Sequence, residues 1–141
     1  MNLESQVCSL ELSKELKELG TPQKSILSWI KKTDGTWVIT SYYGCSCWVL
    51  TRGSLEGVNH EESAAYTVAE LGEMLPDKIM SHSASGQDKN LIMYKHTDIF
   101  FVCVKHSNGM EFPKFFSTNE ANARAMMLIY LIKNRLIEIT E

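Results

Sequence analysis

The chain has 141 residues, 44% of them apolar and 22% charged, with a formal net charge of −3. That length suits a single domain whose core needs neither metal nor disulfides, and the mildly acidic balance argues against a broad nonspecific nucleic-acid footprint, leaving only a local basic patch open. No basic-then-apolar leader and no apolar run approaching roughly 20 residues is present, and Cys8, Cys45, Cys47 and Cys103 are too irregular for a secreted disulfide framework, so the expectation is a cytoplasmic protein with no membrane association.

Residues 1–8 carry no pattern and read as a loose start. Ser9 stands where a hydroxyl can cap a helix whose Leu12, Leu16 and Leu19 share one face, and Gly20 followed by Thr21-Pro22 ends it. A helix-turn-helix is the competing reading, and it lacks a second helix before strand-like sequence begins. Strands are expected over 25–31 and 36–42, joined by the Asp34-Gly35 turn signal, with β-branched and aromatic residues that suit a sheet. A third strand or an aromatic loop is expected over 45–50. Residues 51–63 are polar and contain glycine, which predicts a connection, or a boundary between halves 1–57 and 58–141.

A second helix start is specific. Thr67 and Glu70 have capping-box spacing, Tyr66 and Leu71 stand as a hydrophobic staple, and Pro76 disfavours helix at Leu75. Strands follow over 78–83, 90–95, 99–105 and 110–116, with turns at 85–88, 96–98 and 107–109. Pro113 cannot donate to a ladder, so the last strand is expected at an edge or with a bulge there. The closing helix is read from Ser117 to Leu136, with Ser117 and Glu120 as its capping box and Ala121, Ala125, Leu128, Ile132 and Leu136 along one face. Residues 125–132 are apolar without a break, so the helix should cross a sheet with its flanks covered as well, by the chain's own first helix or by a second copy in a homodimer. Met126 and Met127 serve as core filler or as an adaptable surface. Lys133 and Arg135 oppose the negative helix end, and Asn134 can begin the stop.

The order is helix–hairpin, then helix–meander–helix. This predicts an α+β fold, an antiparallel sheet covered on one face by helices, as a single domain over 1–141.

Chemistry is sparse. Cys45-Ser46-Cys47 can offer two thiolates, but a structural zinc site takes four ligands with spacers of about two to four residues. Cys8, Cys103 and His60 would complete it only by folding coincidence, so no metal is expected and Cys45, Cys47 and His60 are weak candidates. His60, His82, His96 and His106 show no helical His pairing, and their windows lack the paired His-x-Ser/Thr form of phosphodiesterases. Phosphate loops, dinucleotide glycine patterns and nucleophile elbows are absent, so nothing points to an enzyme and no cofactor is implied. The helix–three-strand–helix order of the second half matches double-stranded-RNA-binding domains, whose last helix begins with lysines; here that position reads Ser117-Thr118-Asn119-Glu120, whose acid repels phosphate. Trp29, Trp37, Tyr42, Tyr43 and Trp48 concentrate in one short hairpin, where core and sheet edge are the usual places for such side chains; those that the core cannot hold are the candidate binding surface for a protein or a base.

Three segments carry a resemblance: SLELSKELKELGTPQ near the start, YTVAELGEMLP in the middle and EANARAMMLIYLIKNRLI at the end. Together they resemble a group of small proteins encoded by tailed phages and prophages of gut Bacteroidales. Members share a Leu-rich opening helix, a Trp-containing hairpin, the TVAELGEMLP helix and an Ala-rich closing helix. The stretches 44–63 and 78–90 lie outside the likeness. It implies an accessory phage protein acting inside the bacterial cell, and brings no site residues. The leading expectation is a non-enzymatic module that binds a host or phage protein, inhibition of host defence being one special case. The alternative is a small nucleic-acid or nucleotide binder.

Overall fold

The computed structural model describes residues 2–32, 34–41, 58–79 and 89–139, with backbone alone for Ser41 and residues 58–60. Among them are three α-helices, α1 (Leu10–Glu18), α2 (Val68–Met74) and α3 (Glu120–Lys133). The strands are β1 (Leu27–Lys32), β2 (Trp37–Ser41), β3 (Val58–Ala64), β4 (Lys78–Ile79), β5 (Lys89–His96), β6 (Ile99–Lys105) and β7 (Glu111–Ser117). They form two antiparallel sheets, ordered β2-β1-β3 and β4-β5-β6-β7. The α+β class stands as expected, with two sheets in place of the one expected.

The local signals build their elements as the side chains require. Ser9 caps α1 through the amide of Leu12, and Gly20, at φ 89°, takes the left-handed position that ends it. There the amide of Thr21 reaches the carbonyl of Leu16 and that of Gly20 the carbonyl of Lys17, the paired bonds of a Schellman stop. The α2 capping box is complete: Thr67 accepts from the Glu70 amide, and Glu70 accepts from the Thr67 amide. Leu75 is extended, at ψ 133°, as the residue before a proline prefers. Pro113 meets both of its expectations: β7 is an edge strand, and its register against β6 shifts between Cys103 and Lys105.

Three expectations are corrected. Residues 58–63 are not a linker, because β3 pairs antiparallel with β1 from Lys32↔Val58 to Ser28↔Ala64. An edge strand satisfies its backbone through one neighbour and needs little apolar side chain, so a polar segment can serve. The start of the chain is not loose: Val7 and Cys8 are fully buried, Cys8 donates its amide to Tyr66, and Val7 bridges to Thr67. Ser117 does not cap the closing helix. It remains in β7, opposite Phe100, and Asn119 caps α3 by accepting from the amides of Ala121 and Asn122. The same Asn119 donates to the carbonyls of Glu4 and Val7, at 3.2 and 3.0 Å, while Asn122 accepts from the Ser9 amide at 2.7 Å. Two asparagines in one helical turn therefore hold the N-terminal segment.

α3 is the centre of the packing. It lies on β6 and β7 and is flanked by α1 and α2, so the chain's own helices cover the apolar circumference read from the sequence. Ala121, Ala123 and Ala125 let neighbours approach closely, and Met127 is fully buried core filler. Gly72 does the same on α2, where an added Cβ would lie 2.5 Å from the Arg124 guanidinium of α3. Lys133 pairs with Glu15 of α1. Asn134 is the helical stop, and Arg135 adopts the left-handed conformation after it, at φ 55°. One core joins Cys8 and Leu16 of the first half to Val102, Val104 and Leu131 of the second, so packing crosses the 57/58 boundary.

Candidate functional site

Two of the five residues of the predicted aromatic surface, Trp29 and Trp37, lie among the described residues. Trp29 is a core residue, 8% exposed, packed with Val7, Leu27 and Ala65, and its indole donates to the Cys8 carbonyl at 3.1 Å. It is the one large aromatic of β1, so the face of the first sheet that meets the N-terminal segment takes it inside. Trp37 is half-buried, with the Lys14 ammonium 4.6 Å from its ring. Tyr42, Tyr43 and Trp48 lie outside the described residues, as do Cys45 and Cys47; His60 falls in β3. Among the described residues no cluster of metal-binding side chains occurs. Cys8 and Cys103 are buried and unpaired. Burial pushes the Cys8 thiol above its ordinary range, against the smaller opposing effect of its contact with Ser13 at 3.1 Å.

The exposed apolar side chains gather instead on the second sheet. In β6 the sequence Ile99–Lys105 is apolar on both parities until its last residue, and α3 decides which parity goes inside. Phe100, Val102 and Val104 pack in the core with Leu91 and Phe115. Phe101 therefore faces outward, and the register sets Tyr94 and Phe116 beside it on the neighbouring strands. Tyr94 and Phe101 stack with centroids 5.0 Å apart at 12°, and Phe116 follows at 5.9 Å and 38°. Phe116 and Phe112 are each 62% exposed and Met110 is 52% exposed. A row of cross-strand aromatics on an open face is beyond what sheet stability alone requires, since a lone exposed residue is normal and a cluster is not.

Lys114 sits over this row, its ammonium 5.6 Å from the Tyr94 ring and 5.4 Å from the Phe101 ring, and 3.0 Å from Glu111. Tyr94 donates its hydroxyl to Glu111 at 3.4 Å. The Tyr94 contact and the Glu111 pair hold Lys114 above its ordinary range, and the Lys114 bond holds the Glu111 carboxyl below its own. Cys103, on the same parity, is pushed up by burial and then by the nearby Glu111 charge. Parity in the sequence does not single out this face: it carries Lys105, Lys114 and His96 but also Ile92 and Ile99, and the core parity carries Lys89 and Lys95 beside Leu91, Val102 and Val104.

A second concavity, of about 360 Å³, lies between the segment after α1, α2 and the end of α3. Tyr66 and Glu70 line it, and both are already engaged. The Tyr66 hydroxyl meets Thr21 and Gln23, each at 3.0 Å, and donates to the Pro22 carbonyl. Glu70 accepts from Thr67, Ser25 and the Ile26 amide. These two groups tie the start of β1 to α2, and Lys24, Glu73 and Glu138 also line the concavity.

No protein-family model, no curated protein and no solved structure matches the chain. The architecture by itself defines an α+β protein with helices packed on two antiparallel sheets, and no helix among the described residues is long and apolar enough to cross a membrane.

Proposed function

We propose that the chain is a non-enzymatic protein-interaction module, a phage or prophage accessory protein acting inside the bacterial cell, and that it engages its partner through the outer face of the second sheet. The observation that carries this is the stacked row Tyr94–Phe101–Phe116, with Tyr94 and Phe116 exposed and Phe101 half-buried between them, and a further exposed aromatic, Phe112, along β7 toward Glu111. Large aromatics supply contact area at low conformational cost, which suits a binding surface. The resemblance of the helical segments to phage-encoded proteins supports the biological setting.

A single-stranded nucleic acid is the competing occupant, because aromatic residues on adjacent strands beside a lysine are the pattern of base-stacking sheets. The ring geometry favours protein: Tyr94 and Phe101 stack on each other and Lys114 covers both, which leaves little free ring face for a base. The test is affinity capture from host lysate with and without nuclease, using the tagged chain and its Phe112→Ser/Phe116→Ser variant. One dominant protein that survives nuclease and is lost with the variant is expected. Loss of every partner on nuclease treatment, or identical capture by both chains, refutes the proposal.

A further inference from the structure

Resting on the reading that this face binds protein, we infer that its partner is an acidic segment carrying an apolar anchor. The register places Lys78, Asn90, Lys105 and Glu111 side by side across β4 to β7 at one end of the outer face, with Lys114 in the next row and the aromatic row beyond it. The described strand residues of this face thus carry Lys78, Lys105 and Lys114 against the single acid Glu111, a net of plus two in a chain whose total is −3. Glu111 is already paired with Lys114 and accepts from the Tyr94 hydroxyl, while neither Lys78 nor Lys105 is in an ion pair among the described residues. The face is therefore apolar at one end and cationic at the other, against the charge of the whole molecule. A complementary partner places carboxylates over the lysines and an apolar side chain over the aromatics.

The spacing sharpens the description. Phe101 and Lys105 are four residues apart on one strand, about 14 Å at the usual rise. An extended partner would span that with four residues, and a helical one with about nine. Strand addition at the β7 edge is disfavoured, because Pro113, the shifted register and Lys114 blunt it. The face, not the edge, is the docking surface.

The experiment selects 12-residue peptides from a random displayed library on the full chain and maps the winners by amide chemical-shift changes. Lys78→Glu and Lys105→Glu are then measured beside wild type, with circular dichroism confirming the fold; Lys78 is included because Lys105→Glu sets an acid opposite Glu111. The expected winners are rich in Asp and Glu around Leu, Phe or Trp. They shift β5 to β7, and each charge reversal weakens them by about tenfold, as does raising the salt to about 0.5 M. Winners that shift this face but are not acidic and ignore both reversals overturn the acidic partner and leave the interaction module standing. Winners that shift other residues, or a chain that selects none and binds oligouridylate on this face, overturn both.

Discussion

Glu70 offers the sharpest test of how the two halves are joined. Its carboxylate accepts from the Thr67 amide at 2.8 Å and the Thr67 hydroxyl at 3.1 Å, and from the Ser25 hydroxyl at 2.8 Å and the Ile26 amide at 2.9 Å. Two of the four, the Thr67 and Ile26 amides, can only donate, and they meet different oxygens of the carboxylate. Glu70→Gln keeps size and shape but has one acceptor oxygen, so its NH₂ must face either the Ile26 N–H or the Thr67 and Ser25 donors. A bond to a charged group contributes roughly 1.5–3 kcal/mol, and a donor left facing a donor adds to that loss, so the expected cost is about 2–3 kcal/mol. With a urea slope of about 2 kcal/mol/M the midpoint falls by roughly 1 M or somewhat more. Thr67→Ala removes the capping hydroxyl, its bond to Glu70 and a methyl but leaves the carboxylate in place, and should cost about 1 kcal/mol, so the glutamine variant must be the worse of the two. Urea unfolding followed by far-ultraviolet circular dichroism reads both. A Glu70→Gln protein within 0.5 kcal/mol of wild type refutes the account of Glu70 as the tie between β1 and α2.

Arg135→Gly should stabilise the chain by about 0.5–1 kcal/mol, because Arg135 holds the left-handed position at the end of α3 that glycine takes without a Cβ clash; a lower thermal midpoint would contradict this. Ser63→Ala should raise stability by about 1 kcal/mol, since its buried hydroxyl has no hydrogen-bond partner among the described residues, and chemical denaturation checks it. Trp29→Ala should cost about 3–5 kcal/mol and Trp37→Ala much less, which equilibrium unfolding separates. The Thr36 hydroxyl and amide hold the Asp34 carboxyl below the ordinary carboxylate range. Its contribution to the hairpin is present above the unfolded-state value and is lost as pH falls through the depressed folded value. A carboxyl-carbon NMR titration should show that low midpoint moving up in Thr36→Val.

What could be read from residues alone is what depends on neighbours in the chain. The stops and starts at Ser9, Gly20, Thr67-Glu70, Pro76 and Asn134 involve side chains and amides within a few positions, so the same bonds are visible in one dimension. The meander from Lys89 to Ser117 was legible for the same reason, since its turns at Thr97-Asp98 and Asn108-Gly109 are local. Tertiary structure alone decided the rest. β3 is a strand because β1 offers it a ladder, and its side chains carry no such instruction. Asn119 displaced Ser117 as the cap because strand pairing with β6 had already claimed Ser117. The outer aromatic face was hidden for the most physical of these reasons. Phe100 and Phe101 are adjacent and equally apolar, so no pattern in β6 says which belongs to the core. Packing on α3 makes that choice, and the other parity is left on the outer face.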